Sequence, residues 1–176
     1  MFKKLSLVFF ILIFFNFQSV LSAESPRWVA QPVYVYIPSC GNYSKLMYKA
    51  FLAWQEKSDG LVRFKFVSRK SSANIEVHFV NKVENCNSEF AVGCERTQTR
   101  HGQYYKSDIE IALKKRDSDN VYRPIKNIYG VMLHEIGHAI GLDHSNNPDS
   151  IMYSYDLPTL QYLTEEDVRL LYKKYH

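Results

Sequence analysis

The chain has 176 residues, the size of a single domain. Hydrophobic residues make up 46% of it and charged residues 23%, which is a globular composition and excludes a mainly disordered chain. The formal net charge of +4 is small and evenly spread, so the sequence does not favour a nucleic-acid-binding protein.

Residues 1–23 have the pattern of a secretory signal peptide. Lys3 and Lys4 precede an apolar run at residues 5–15, and the small residues Ser22 and Ala23 follow it. We expect cleavage after Ala23, with cleavage after Ser22 as the alternative. An uncleaved membrane anchor is less favoured, because the apolar run is shorter than the ~20 residues of a membrane span. The sequence therefore predicts a secreted or extracytoplasmic protein without stable membrane association after cleavage.

Three cysteines follow the predicted signal peptide, namely Cys40, Cys86 and Cys94. A secreted protein meets oxidising conditions, in which disulfides form. Cys86 and Cys94 flank a short segment that they could close, leaving Cys40 over, but the sequence alone does not fix the pairing. No CxxC spacing supports a cysteine zinc site.

Alternating apolar residues predict several strands in the first two thirds of the chain. These strands are expected within residues 33–37, 62–66, 75–79 and 109–113. Residues 81–107 are expected to be rich in loops, with a short strand near residues 90–92.

Apolar residues at helical spacing predict three helices. The first contains Met47, Ala50, Phe51 and Trp54, with Gly60 as its stop. The second begins near Pro124, runs through Ile128, Val131, His134 and His138, and ends at Gly141. The third begins after the N-cap Thr164 and has the apolar stripe Val168, Leu171, Tyr172 and Tyr175. This order of elements predicts an α+β domain with a mixed sheet.

The second predicted helix carries a metal-binding pattern. Residues 134–144 read HEIGHAIGLDH, so His134 and His138 project from the same helical face. Gly141 permits a sharp turn that returns His144 to the same metal. Three imidazoles with an open position are typical of catalytic zinc, and Glu135 lies where it can reach a water molecule on that zinc. A plain helix with surface histidines is the alternative, which the glycine and the third histidine disfavour.

A methionine follows the histidine motif, at Met152 in the segment Ser-Ile-Met-Tyr. With this residue the sequence resembles the metzincin metalloproteases, whose long zinc motif is followed by a methionine-containing turn beneath the zinc. The resemblance implies a zincin-like catalytic domain over residues 24–176, with a twisted mixed sheet, three helices and the zinc site on the second helix. In that fold Met152 forms a hydrophobic floor and is not a ligand.

Among metzincins, the sequence is most similar to the matrixins, the family of matrix metalloproteinases. Ser145 after the third histidine and Ala139 inside the motif both fit matrixins. Ser154 stands where some metzincins have a tyrosine ligand, so Tyr153 and Tyr155 are interpreted as pocket wall or packing. Weaker similarity extends over residues 50–54, 73–77 and 163–168.

Comparison with the matrixin pattern also raises questions about Cys40, a second metal and the substrate pocket. Cys40 lies in a faint echo of the matrixin latency motif, but we interpret it as structural or disulfide-bonded. His78 and His101 are the upstream histidines left for a second zinc, and His78 fits a strand face, so we expect a single catalytic zinc and leave calcium open. In matrixins the residue four before the first histidine, here Gly130, helps to set the depth of the pocket after the cleaved bond.

These features predict a secreted zinc endopeptidase with Glu135 as general base, acting on protein or peptide substrates as a monomer without nucleic acid. An extended substrate is expected along an edge strand near residues 90–93. Two alternatives remain open, a zinc amide hydrolase acting on cell-wall peptide and a zinc-holding binding module that does not cleave.

Overall fold

The computed structural model describes residues 25–84, 86, 91–114, 123–153 and 161–176. The predicted signal peptide lies outside these residues and stays a prediction. None of the helices in the described part of the chain has the length and apolarity that a bilayer span requires.

A five-stranded mixed sheet forms one layer of the domain. Its strands are β1 (Val33–Tyr36), β2 (Phe64–Phe66), β3 (Ile75–Val80), β4 (Gly93–Arg100) and β5 (Gln103–Ala112). They lie in the order β2-β1-β3-β5-β4, and all neighbours are parallel except β4 and β5. The one antiparallel pair confirms the predicted mixed sheet, and β4 is an edge strand of the sheet formed by the described residues.

The prediction of a loop-rich region over residues 81–107 is wrong in its second half. Residues 93–112 form a long hairpin of β4 and β5, which turns at His101 and Gly102, both with positive φ. The sequence did not predict β4 because this edge strand has polar residues on both faces and therefore lacks the alternation of apolar residues that indicates a strand.

Three α-helices complete the described part of the fold, α1 (Asn42–Lys57), α2 (Ile125–Ala139) and α3 (Glu165–Tyr175). α1 and α2 pack against one face of the sheet. The largest fully buried side chains come from α1, α2 and the sheet, and include Trp54, Phe51, Met47, Ile75, Ile109, Ile111, Ile128, Met132, Leu133 and Ile136. Each contributes about 1.5–3 kcal/mol by leaving water, so the zinc-motif helix is anchored by its apolar face.

The helix ends follow the local sequence. After α1, Gly60 has a φ of +73°, and its N–H donates to the carbonyl of Gln55 at 2.8 Å. Pro124 was predicted to be the first residue of the second helix. It is instead the N-cap of α2, which begins one residue later, at Ile125. Thr164 caps α3 in a reciprocal capping box with Asp167. In the predicted apolar stripe of α3, Leu171 is buried whereas Tyr172 is exposed.

The cysteine pairing left open by the sequence is resolved. Cys86 is bonded to Cys94, and Cys40 is a free, half-buried thiol that packs against the core. The interpretation of Cys40 as disulfide-bonded is therefore wrong, because the other two cysteines are bonded to each other. Its packing against the core fits the structural interpretation.

Candidate metal centre

Helix α2 and the turn that follows bring three histidines together. His134 and His138 lie one turn apart on α2 and are half-buried, whereas His144 is exposed. One ring nitrogen of each lies within 4.8 Å of the others, so the three form a group that could hold a metal ion.

Backbone carbonyls orient the first two imidazoles. The Nδ1 of His134 lies 2.7 Å from the carbonyl of Ile151, and the Nδ1 of His138 lies 2.7 Å from the carbonyl of Leu142. An Nδ1–H that donates to a carbonyl leaves Nε2 as the lone-pair nitrogen. The two Nε2 atoms face each other at 3.0 Å, which directs both lone pairs to one point.

Burial keeps these imidazoles in the neutral form. It lowers the pKa of His134 to about 4, with the neighbouring His138 as a second cause. Burial also lowers the pKa of His138. Neutral imidazole is the form that binds a metal, so the two rings are prepared to bind without first losing a proton.

The turn after α2 depends on Gly141, as predicted. Its φ of +104° is one that side chains disfavour, and a Cβ there would lie 2.9 Å from Cε of Lys174 and 3.2 Å from a ring carbon of Tyr104. Backbone carbonyls at the end of α2 also have hydrogen-bond donors. Trp28 Nε1–H donates to the carbonyl of Ala139 at 2.7 Å, and Tyr175 O–H donates to the carbonyl of the C-cap residue Ile140 at 3.1 Å.

Glu135 is buried beside the histidines, with 6% of the residue exposed. It packs against the backbone of the edge strand at Gly93, where a Cβ would lie 2.6 Å from Cγ and 2.7 Å from Cδ of Glu135. Burial, with the Glu95 carboxylate as a second cause, raises the pKa of Glu135 to about 8. The sequence did not identify Gly93 as a contact of Glu135, because the two are 42 positions apart.

Met152 lies under the helix that bears the histidines and is fully buried. A Cβ on Gly137 would collide with its sulfur and would lie 3.1 Å from its Cε. The Ser145 N–H donates to the Met152 carbonyl at 2.8 Å, which joins the segment after His144 to the methionine turn. The motif glycine at 137 is therefore required by packing, a role that spacing alone did not reveal.

Asp167 of α3 ties this turn in place. Its Oδ1 accepts from Ser150 Oγ at 2.5 Å and from the Ile151 N–H at 3.1 Å, and its Oδ2 accepts from the Thr164 N–H at 2.8 Å. The carbonyl of Ile151 orients His134, so Asp167 supports the site through one intervening residue. The position of Asp167 in the first turn of α3 does not by itself reveal this role.

The predicted pocket residues are only partly described. Gly130 is buried within α2, and Tyr153 is half-buried at the end of the methionine turn. Tyr155 lies outside the described residues. Of the predicted substrate edge, Gly93 opens β4, whereas Phe90 lies outside the described residues.

A second group of metal-capable side chains lies on the opposite face of the sheet, and consists of Glu76, His78 and Asp108. His78 lies on a strand face, with its Nε2 at 3.2 Å from Oδ1 of Asp108. Lys106 and Lys70 already pair with the two oxygens of Glu76, the latter at 2.7 Å. We therefore interpret these side chains, together with Lys70 and Lys106, as an ion-pair network.

Comparison with known proteins agrees with this geometry. A family model described as Matrixin matches residues 39–176. The chain is 31% identical over 150 residues to a probable matrix metalloproteinase of Invertebrate iridescent virus 3, a match that covers 80% of this chain and 40% of the relative. It is 52% identical over 44 residues to a macrophage metalloelastase of Rattus norvegicus, covering 25% of this chain and 9% of the relative. The chain thus spans less than half the length of these relatives, while the family model covers most of the chain itself. The chain belongs to the matrixin family.

Proposed function

We propose that the protein is a zinc-dependent endopeptidase in which His134, His138 and His144 hold one zinc ion and Glu135 is the general base. Matrixins are zinc metallopeptidases, so membership of the family points to a peptidase acting on proteins. The observation that carries the proposal is the convergence of three ring nitrogens beside a buried carboxylate.

The donor set fits zinc. Neutral imidazole nitrogens are common zinc ligands, and three of them leave a position open for water or substrate. The hydrogen bonds from His134 and His138 to carbonyls are the outer contacts that zinc-binding histidines usually make. When bound here, zinc would supply Lewis-acid polarisation of a water molecule and of the scissile carbonyl group.

Glu135 is assigned the proton transfers. Its carboxylate takes a proton from the attacking water and passes it to the nitrogen of the leaving amine. This requires the ionised form of Glu135, which the positive charge of a zinc ion held by the three neutral imidazoles would favour over the neutral form. Burial under β4 excludes bulk water, so the carboxylate keeps the proton for the amine.

The substrate is proposed to bind as an extended segment along β4. The edge of that strand away from β5 has no strand partner in the described sheet, so its backbone N–H and C=O groups can pair with a peptide. The disulfide fits an oxidising location outside the cytoplasm, in line with the predicted signal peptide and with the extracellular location general among matrixins.

A cell-wall peptide hydrolase and a zinc-holding module without activity are the competing functions. Purified protein should be assayed on casein and on purified peptidoglycan, each with chelator and after zinc is added back. The proposal predicts casein cleavage that chelator abolishes and zinc restores. Cleavage of peptidoglycan alone would favour the amidase, and binding without cleavage would favour the module.

Gly130 is proposed to leave open the pocket for the side chain that follows the cleaved bond. A glycine inside a helix costs about 1 kcal/mol relative to alanine, so its presence needs a reason. With an open pocket, the enzyme should prefer Leu, Met or Phe after the cut, and Gly130→Leu should shift preference to smaller residues with zinc content unchanged. A peptide-library cleavage profile measures this, and an unchanged profile in a folded variant would leave Gly130 a packing residue only.

A further inference from the structure

The edge strand β4 meets the site at its first residue. Gly93 presses against Glu135, and the following positions lead away along the free edge of the sheet. If the protein is the peptidase proposed above, the start of β4 therefore supports both the general base and the extended substrate. Any shift of this backbone would move the two together.

Within the described sheet, β5 is the one strand that pairs with this part of β4. The Ala112 N–H donates to the Val92 carbonyl at 2.9 Å, and Cys94 is paired with Glu110 of β5. As an edge strand, β4 has no described strand on its other side. Backbone pairing on one side alone leaves a strand end free to open.

The disulfide supplies the missing restraint at this position. Cys94 directly follows Gly93, is 4% exposed and is bonded to Cys86, which lies in the connection from β3 to β4. Arg96 reinforces the arrangement, because its Nη1 lies 3.4 Å from Sγ of Cys94 and its Nη2 pairs with Glu110. The cross-link thus fixes the residue next to the contact with Glu135.

We propose that Cys86 and Cys94 are positioning residues, whose disulfide holds the start of β4 over Glu135 and in register for substrate. Neither cysteine belongs to the three histidines or the carboxylate assigned to the reaction. Opening the disulfide therefore impairs substrate binding and turnover while zinc stays bound. The cross-link acts through Gly93 and the substrate edge, not through the histidines.

The test compares the Cys86→Ser/Cys94→Ser double variant with the full-length wild type and with Cys40→Ser. Cys40 is the matched control, since its thiol is free and it lies in the connection between β1 and α1, outside β4 and the segment that leads to it. Zinc per chain, kcat and KM on one casein-derived peptide, and amide hydrogen exchange are measured for each. We expect full zinc, at least about a tenfold loss of kcat/KM with a raised KM, and about tenfold faster exchange at the Ala112 N–H in the double variant alone.

Reduction gives an independent version of the experiment if the double variant does not fold. Treating Cys40→Ser with a phosphine reductant, with zinc content checked, should reproduce the loss, whereas untreated Cys40→Ser should keep the activity of the wild type. Unchanged kcat/KM and exchange would overturn the proposal, as would loss of zinc in parallel with activity. If the wild type binds zinc but cleaves nothing, the proposed function fails, and unchanged exchange at Ala112 then overturns the positioning role separately.

Discussion

Two glycines shape the site by bringing other groups into close contact. Gly93 lets the backbone of β4 lie against Glu135, and Gly137 lets the Met152 side chain lie against α2. In both places a single Cβ would overlap a neighbouring side chain. The positions of the Glu135 and Met152 side chains thus depend on the absence of side-chain atoms at Gly93 and Gly137.

A side chain at Gly93 should disable the base without removing the metal. Gly93→Val adds atoms where Glu135 now lies, so the carboxylate must move. We expect full zinc content and a loss of about tenfold to hundredfold in kcat, the range for a misplaced catalytic group. Lys65→Val is the control, because Lys65 is exposed on β2, the strand at the opposite edge of the sheet. Normal turnover in folded Gly93→Val would contradict the contact.

The histidines could be predicted from the sequence, whereas the glycine contacts could not. A helix fixes the separation of His134 and His138, and a glycine turn limits where His144 can return. Gly93 and Glu135 meet only through the packing of β4 on α2, which local periodicity does not encode. Similarly, the position of Asp167 in the first turn of α3 does not indicate its bonds to the methionine turn, which are long-range.

At the scale of elements, α3 acts as a brace for the methionine turn. A single buried carboxylate, Asp167, satisfies groups from both α3 and the turn. Because Ile151 in that turn also orients His134, the brace connects the last helix to the metal centre.

Asp167→Ala should therefore destabilise the fold more than loss of an ordinary acidic residue. It leaves the buried Ser150 hydroxyl and the Ile151 and Thr164 N–H groups without their acceptor, which costs about 2–4 kcal/mol. A fall in Tm of about 5–15 °C is expected by calorimetry. Glu165→Ala is the matched control, since the Glu165 side chain is 92% exposed. Equal Tm values for the two variants would show that the brace is unimportant.

Elements with an apolar stripe were the ones the sequence predicted well. α1 and α2 bury large residues at helical spacing, and β3 buries Ile75 and Val77 on one face. The β4–β5 hairpin was missed in part because Glu95 and Thr97 are polar on the inward face, where they bond to each other and to Ser107 instead of packing in the core. Hydrophobic pattern cannot identify a strand that is held mainly by backbone pairing and polar contacts.

For the whole molecule, the ion-pair network on the outer face of the sheet should make stability depend on pH. Burial by itself raises the pKa of Glu76, but hydrogen bonds and charges from Lys106 and Lys70 outweigh it and hold the pKa below the ordinary 4.5. A lowered folded pKa means that the stabilisation is present above about pH 4.5 and is lost as the pH falls toward the folded value.

Urea unfolding of metal-free wild type and Glu76→Gln measures this effect. At about pH 6.5, the variant should be less stable by roughly 1–3 kcal/mol, the range for hydrogen bonds to charged groups. At about pH 3.5 the difference should shrink, because the carboxylate then takes up a proton more readily in the unfolded chain than in the folded one. A difference that stays constant or grows on acidification would show that the network does not stabilise the fold.

The most direct test of the central claim is zinc content and casein hydrolysis measured together on wild type and Glu135→Gln. Glutamine keeps the shape of the side chain but cannot accept the proton, and Glu135 is assigned as base and not as ligand. One zinc per chain in both proteins, with hydrolysis reduced by about 10²–10⁴-fold in the variant, is the predicted result. Zinc lost along with activity, or hydrolysis retained by the zinc-loaded variant, would contradict the assignment.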